Sequence, residues 1–173
     1  MRTLLDIFKL ALLNEVKAQL FYRIAAEITE GDEARLWFIE LSGVEEDHAH
    51  ELIRAMEQRS LLDGFDARAY LRQLQAPTAA VLRIDEVRSF RQGGLDTVLR
   101  YAREMEARSR DNYLALANGV DRCELRDYFL SLAAEEQRHH DDICRLEETA
   151  GVGDPPEEVA DREILLTVCE TAP

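Results

Sequence analysis

Apolar residues recur along most of the chain at the spacing of an α-helix. Four segments, near residues 3–29, 33–61, 94–118 and 122–149, carry them at alternating steps of three and four residues. This spacing gathers the apolar side chains on one stripe of each helix, which then faces a shared core. The pattern predicts an all-α fold built on four long helices.

Two of the three connections between these helices are short. Gly31 can end the first helix and Asp32 can cap the second, and Gly119 has the same place between the third and fourth. Each pair is therefore predicted to form a hairpin. Residues 62–93 contain Pro77 and are too long for a turn in a compact bundle, so they predict a crossover with one short helix of its own.

The predicted domain boundaries follow from these connections. At 173 residues with 46% apolar content, the chain can bury the core of one domain without disulfides. We expect a bundle domain and an acidic C-terminal tail, with the domain over 1–150, hairpins over 3–61 and 94–149, the crossover over 62–93 and the tail over 151–173.

The second hairpin is related to the first in sequence. Residues 15–57 align with residues 106–148 without a gap, at a constant offset of 91, and 11 of the 43 pairs are identical. We interpret the second hairpin as a diverged copy of the first. The identical pairs include a Glu three residues before a His, which is Glu45 with His48 and Glu136 with His139.

One glutamate interrupts each apolar stripe: Glu15, Glu45, Glu106 and Glu136 on the first to fourth helices. On the second and fourth helices the His follows one turn later on the same face. The two glutamates of each hairpin lie at similar distances from its turn. All four carboxylates and both imidazoles are therefore predicted to meet at one depth of the core, where burial without partners would be costly.

This combination of side chains is typical of a metal site. Carboxylate oxygens with imidazole nitrogens suit iron, manganese or zinc, and two divalent cations would neutralise the four carboxylates. One Glu-x-x-His motif on an acidic helix is more typical of solvated surface, but two motifs in register with two further glutamates favour a shared site. The predicted metal ligands are Glu15, Glu45, His48, Glu106, Glu136 and His139.

Two tyrosines lie on the same stripes as the predicted ligands. Tyr22 and Tyr113 come two turns after Glu15 and Glu106. Each can be a plain core aromatic, or it can donate a hydrogen bond to a ligand carboxylate, since a buried phenol needs a partner. We expect the second role, which supports catalysis without contact to the metal.

Charge and cysteine content narrow the classes of partner. The formal net charge is −14 with no basic cluster, which argues against nucleic acid or an anionic membrane as a partner. The three cysteines form no CxxC motif, so we expect reduced thiols and a cytoplasmic protein. The sequence has no apolar stretch of about 18 residues that would predict a membrane span.

Four stretches together resemble the rubrerythrin branch of the ferritin-like di-iron carboxylate superfamily: NEVKAQLFY, LSGVEEDHAHEL, YAREMEARSRDNY and LAAEEQRHHDDI. The resemblance covers about residues 1–150. It implies an up-down-down-up four-helix bundle with a long crossover between helices 2 and 3, and a pseudo-twofold di-iron site that reacts with hydrogen peroxide or dioxygen. It also implies that the six ligands bind two iron ions, with Glu45 and Glu136 as bridges, and that zinc or manganese can take the same site.

Two features depart from the rubrerythrin pattern. Rubrerythrins commonly carry a C-terminal rubredoxin domain with paired CxxC motifs, which this sequence lacks, so we expect electrons from a separate donor protein. Rubrerythrins also tend to carry an extra carboxylate about one turn from the ligand of the third helix, where this chain has Arg103 and Ser109. The second departure makes peroxide chemistry a weaker expectation than metal binding.

Three functions are compatible with these residues. The resemblance implies an oxidoreductase that reduces hydrogen peroxide at a di-iron site with electrons from the separate donor. The second hypothesis is a ferritin-like protein that binds, oxidises or stores iron or another metal, as a ferroxidase or a store without peroxidase turnover. The third is an acidic helical interaction module without metal.

We expect the protein to form a homodimer, because the tail stretch ILLTVC at residues 164–169 is apolar and ferritin-like bundles often pair. Light scattering at micromolar concentration should report the mass of two chains. Deletion of residues 164–169 should reduce that mass to one chain. A monomeric full-length protein would contradict the prediction.

Overall fold

The computed structural model describes residues 3–57, 64–76, 82–120 and 123–149, except for the side chain of Asp32. Within these ranges the regular secondary structure is entirely α-helical, which confirms the predicted all-α class. The helices are α1 (Leu4–Ile28), α2 (Asp32–Glu57), α3 (Ala67–Gln75), α4 (Ile84–Asn118) and α5 (Cys123–Thr149). The predicted C-terminal tail and its stretch ILLTVC lie outside the described residues.

The start of the third long helix differs from the sequence prediction. It was expected near residue 94, but α4 begins at Ile84 and continues through a kink at Gly94, where φ is 65° and ψ is −162°. Only glycine adopts this conformation readily. The glycine that indicated a helix start in the sequence therefore marks a kink between two helical parts of α4. A Cβ at Gly93 would also overlap the side chain of Thr97.

The predicted crossover therefore contains more helix than expected. Its described residues include α3 and the first part of α4, where one short helix was predicted. Phe90, in that first part, is buried with its ring centroid 5.0 Å from that of Phe21 in α1 and 4.6 Å from that of Tyr101 in α4. These tertiary contacts stabilise a segment whose local pattern had indicated a connection.

The long helices pack in pairs, α1 with α2 and α4 with α5, and α1 also packs against α4. The short α3 lies across α1 and α2. None of the helices in the described ranges is both long enough and apolar enough to span a bilayer.

Two apolar clusters form the core. Cluster A contains Phe8, Leu12, Leu52, Met56, Leu116, Leu125 and Phe129 among others. Cluster B contains Phe21, Phe38, Phe90, Leu99 and Ile143 among others. Each of the four long helices contributes residues to both clusters, and on each helix the predicted ligand glutamate lies at the boundary between them. The core is thus divided by one polar layer.

Candidate metal centre

The six predicted ligand side chains come together in the polar layer between clusters A and B. Glu15, Glu45 and Glu136 are completely buried, and Glu106 is almost so. The side chain of His48 is 5% exposed and that of His139 is 17% exposed. Because one glutamate comes from each long helix, the layer forms only when all four helices are packed.

One group of donor atoms surrounds His48. Its Nδ1 lies 3.5 Å from Glu15 Oε2, 3.7 Å from Glu45 Oε2 and 3.1 Å from Glu136 Oε1. The donor atoms of these four residues all lie within 4.8 Å of one another. A single metal ion can therefore contact all four side chains.

A second group surrounds His139 in the same manner. Its Nδ1 lies 3.8 Å from Glu45 Oε1, 3.7 Å from Glu106 Oε2 and 3.6 Å from Glu136 Oε2. These four donor atoms also lie within 4.8 Å of one another. The two imidazole rings are 6.0 Å apart between centroids and nearly parallel, at 20°.

The two groups share Glu45 and Glu136. Each of these carboxylates faces His48 with one oxygen and His139 with the other. Glu15 belongs only to the first group and Glu106 only to the second. The arrangement offers two metal positions with two carboxylates between them.

Unsatisfied polar atoms show that the side chains fit a cation. Both oxygens of Glu15, Glu45 and Glu136 are buried without a hydrogen-bond partner among the described residues, as are the Nδ1 atoms of His48 and His139. The two Nδ1 atoms lie near the four carboxylates of the layer, but not in hydrogen-bonding geometry with them. Buried polar atoms in native proteins nearly always have partners, and a bound metal ion would supply them here.

The crowding of like charges controls the protonation of the two shared carboxylates. Burial raises the pKa of Glu45 and of Glu136 well above the ordinary value, and the neighbouring carboxylates raise it further. In the metal-free chain these carboxyl groups therefore retain protons at pH values where an exposed glutamate is ionised.

The pKa values of both imidazoles are raised, although burial by itself would lower them. Burial alone would lower the pKa of His48, but the facing carboxylates of Glu136, Glu15 and Glu45 outweigh it and raise the pKa. The pKa of His139 is also raised, because Glu106 outweighs burial. Burial would raise the pKa of Glu106, yet the His139 imidazole lowers it, so these two side chains form an ion pair. In the metal-free layer, bound protons therefore offset part of the negative charge of the carboxylates.

The two tyrosines differ in their contacts. Both are completely buried. Tyr22 donates a hydrogen bond to Glu106 Oε1, whereas the Tyr113 hydroxyl has no hydrogen-bond partner among the described residues. Burial raises the pKa of both phenols well above the ordinary value, so each keeps its proton. Tyr22 therefore holds one carboxylate of the layer. Glu15 is among the groups that raise the pKa of Tyr113, so the predicted contact of Tyr113 with that carboxylate stays a prediction.

Glu135 was missed by the sequence analysis. Its Oε2 lies 3.2 Å from His48 Nε2, the ring nitrogen that faces away from the shared carboxylates. The only signal in the sequence is its position directly before Glu136, off the apolar stripe. A position off the stripe predicts a surface residue, and the Glu135 side chain is indeed 38% exposed.

The two positions that depart from the rubrerythrin pattern add no ligand. Ser109 is buried, and Arg103 pairs through Nη1 with Glu147 Oε2 at 3.0 Å.

No family model matches the chain, and no curated protein or solved structure is significantly similar to it. Support for a metal centre therefore comes from the side chains themselves.

We predict that Glu136→Ala abolishes tight metal binding at one or both positions, because it removes an oxygen from each group. The wild-type chain, reconstituted anaerobically with ferrous iron and desalted, should retain two ions by elemental analysis. Glu148→Ala, which removes an exposed carboxylate from the same helix, is the control and should also retain two. Circular dichroism checks that both variants fold, and a wild-type chain that retains no metal would refute the prediction.

Metal binding should release protons and raise the melting temperature. The raised pKa values of Glu45 and Glu136 mean that the metal-free chain holds protons which a metal ion displaces, so affinity should increase as the pH rises above the ordinary glutamate range. Titration calorimetry in buffers of different ionisation enthalpy counts the protons. Metal that binds only the folded state must also stabilise it, so equal melting temperatures with and without metal would contradict a buried site.

Proposed function

We propose that the protein is a ferritin-like dinuclear iron protein of the rubrerythrin type that reduces hydrogen peroxide with electrons from a separate donor. The observation that carries the proposal is the pair of shared carboxylates, Glu45 and Glu136, each with one oxygen toward either histidine. In ferritin-like di-iron proteins, two helices each supply a Glu and two supply a Glu-x-x-His motif. The six residues of this layer have the same composition.

The course of the helices supports the ferritin-like topology. Along the chain, α1 and α5 pass from cluster A to cluster B, whereas α2 and α4 pass from cluster B to cluster A. This order corresponds to helices that run up, down, down and up. Two consecutive helices with the same direction need a long crossover between them, and residues 58–83 between α2 and α4 have the length for one.

The donor set suits iron, manganese and zinc alike, and iron is proposed because of the resemblance to di-iron proteins. Glu15 and His48 would hold one ion, Glu106 and His139 the other, and Glu45 and Glu136 would contact both. Four carboxylates balance two divalent cations, and hard oxygen donors with imidazole suit iron, with manganese and zinc as competitors for the same positions.

The reduction of one hydrogen peroxide molecule to two water molecules consumes two electrons and two protons. Two ferrous ions held by these residues would supply the two electrons, one each. The chain itself orients the ligands and excludes bulk water: clusters A and B cover the layer on both sides, and Tyr22 holds Glu106. His139 is the most exposed of the ligands, so we place the entry of peroxide on its side.

A second candidate function is iron oxidation or storage, in which iron is the substrate. The observation that favours it is in the sequence: the positions about one turn from Glu106 along its helix are Arg103 and Ser109, so neither supplies the extra carboxylate of the rubrerythrin pattern. Fewer anionic ligands hold ferric iron less firmly, which would let the oxidised product leave the site.

Stopped-flow oxidation of the anaerobic ferrous protein separates the two functions. A peroxidase should be oxidised far faster by hydrogen peroxide than by air, and an added reductant should restore it through repeated turnovers with two irons retained after gel filtration. Glu148→Ala serves as the control, since its carboxylate is exposed and lies away from the layer.

Loss of iron during turnover, or uptake beyond two irons per chain, would contradict the peroxidase and favour the store. Rapid oxidation by dioxygen with no preference for peroxide would do the same. Failure of the reconstituted chain to bind iron in any ratio would overturn both functions.

A further inference from the structure

The two halves of the metal layer are not equivalent beyond their ligands. His48 contacts Glu135 through Nε2 while its Nδ1 faces the shared carboxylates. The repeat offset of 91 places Val44 at the position equivalent to Glu135, and no carboxylate of the described residues contacts His139 Nε2. A carboxylate behind a ligand imidazole fixes the orientation of the ring and increases its basicity.

The two imidazoles also differ in exposure, and the one without a carboxylate behind it is the more exposed. The His48 side chain is 5% exposed and the His139 side chain is 17% exposed. The stacked rings belong to the same layer, yet only His139 is partly open to solvent. A ligand that water reaches exchanges more readily than one enclosed by protein.

The unshared glutamates differ as well. Both oxygens of Glu15 lack a hydrogen-bond partner among the described residues, so both are free to bind a cation. Glu106 Oε1 instead accepts the Tyr22 hydroxyl, which leaves Oε2 as the oxygen that faces His139. Tyr113, the counterpart of Tyr22, lies close enough to Glu15 for that carboxylate to help raise the pKa of its phenol, but its hydroxyl is not in hydrogen-bonding geometry with any described residue.

We propose that the two metal positions have unequal affinities: the ion held by Glu15 and His48 is retained, and the ion held by Glu106 and His139 exchanges with solution. Glu135 is the positioning residue that creates most of the difference by holding the His48 ring. The inference rests on the proposed dinuclear centre and adds to it an order of loading, in which the Glu15 position fills first.

The order of loading can be measured with zinc, which needs no redox chemistry. Zinc titration of the full chain against a chelator of known affinity should resolve two steps with different dissociation constants. In crystals grown at one zinc equivalent per chain, anomalous scattering should be stronger at the Glu15 and His48 position.

Variants of Glu135 test whether this residue strengthens the tighter of the two zinc-binding steps. Glu135→Ala should weaken that step about 10- to 100-fold and leave the weaker step unchanged. Glu135→Gln should lose less, because the amide oxygen can still accept a hydrogen bond from Nε2. Glu46→Ala is the matched control: it removes an exposed carboxylate one residue from Glu45, and neither step should change.

Three outcomes would overturn the inference. Equal zinc occupancy at both positions, or preference for the His139 position, would refute the order of loading while the dinuclear centre stands. Glu135→Ala with both steps unchanged would remove Glu135 from the explanation. Absence of any zinc binding by the wild-type chain would overturn the dinuclear centre and the inference together.

Discussion

The structure depends on the burial of four carboxylates in one layer of an otherwise apolar core. Removing an ionised carboxylate from water is costly unless a partner compensates, and Glu15, Glu45 and Glu136 have no hydrogen-bond partners among the described residues. Protons on the shared pair and on the imidazoles reduce the charge in the metal-free chain. Divalent cations would compensate it more fully, because they would be partners for carboxylate oxygens that otherwise have none. Metal binding to this layer would therefore be coupled to folding.

The apolar part of the core covers this layer and holds its side chains in place. Clusters A and B enclose it from both sides, which keeps water from the carboxylates and strengthens each electrostatic contact. The kink at Gly94 lets the first part of α4 bring Phe90 onto Phe21 and thus covers cluster B. The helices that carry the ligands are long and continuous through the layer, so the donor atoms stand on rigid elements.

The interpretation of the second hairpin as a diverged copy of the first accounts for both the symmetry and the asymmetry of the site. The ligands match in pairs across the two hairpins at an offset of 91, and each shared carboxylate faces both histidines. The residues around them differ between the hairpins: Glu135 has Val44 as its counterpart, and the Tyr22 hydroxyl has a hydrogen bond in the described structure where the Tyr113 hydroxyl has none. The two Glu-x-x-His motifs thus have different surroundings within one layer.

The sequence by itself determined the helical class, the hairpins and the six residues of the layer. Helix periodicity places a glutamate on each buried stripe, and burial of such a group requires a partner, so Glu15, Glu45, Glu106 and Glu136 stood out. Tertiary structure decided the rest, because it depends on contacts between distant segments. It selected Ile84 as the start of α4, distinguished Tyr22 from Tyr113, and brought Glu135 to His48 from a helix 87 residues away along the chain. Side chains off the apolar stripe have no periodic signal, and only the packed helices show what they meet.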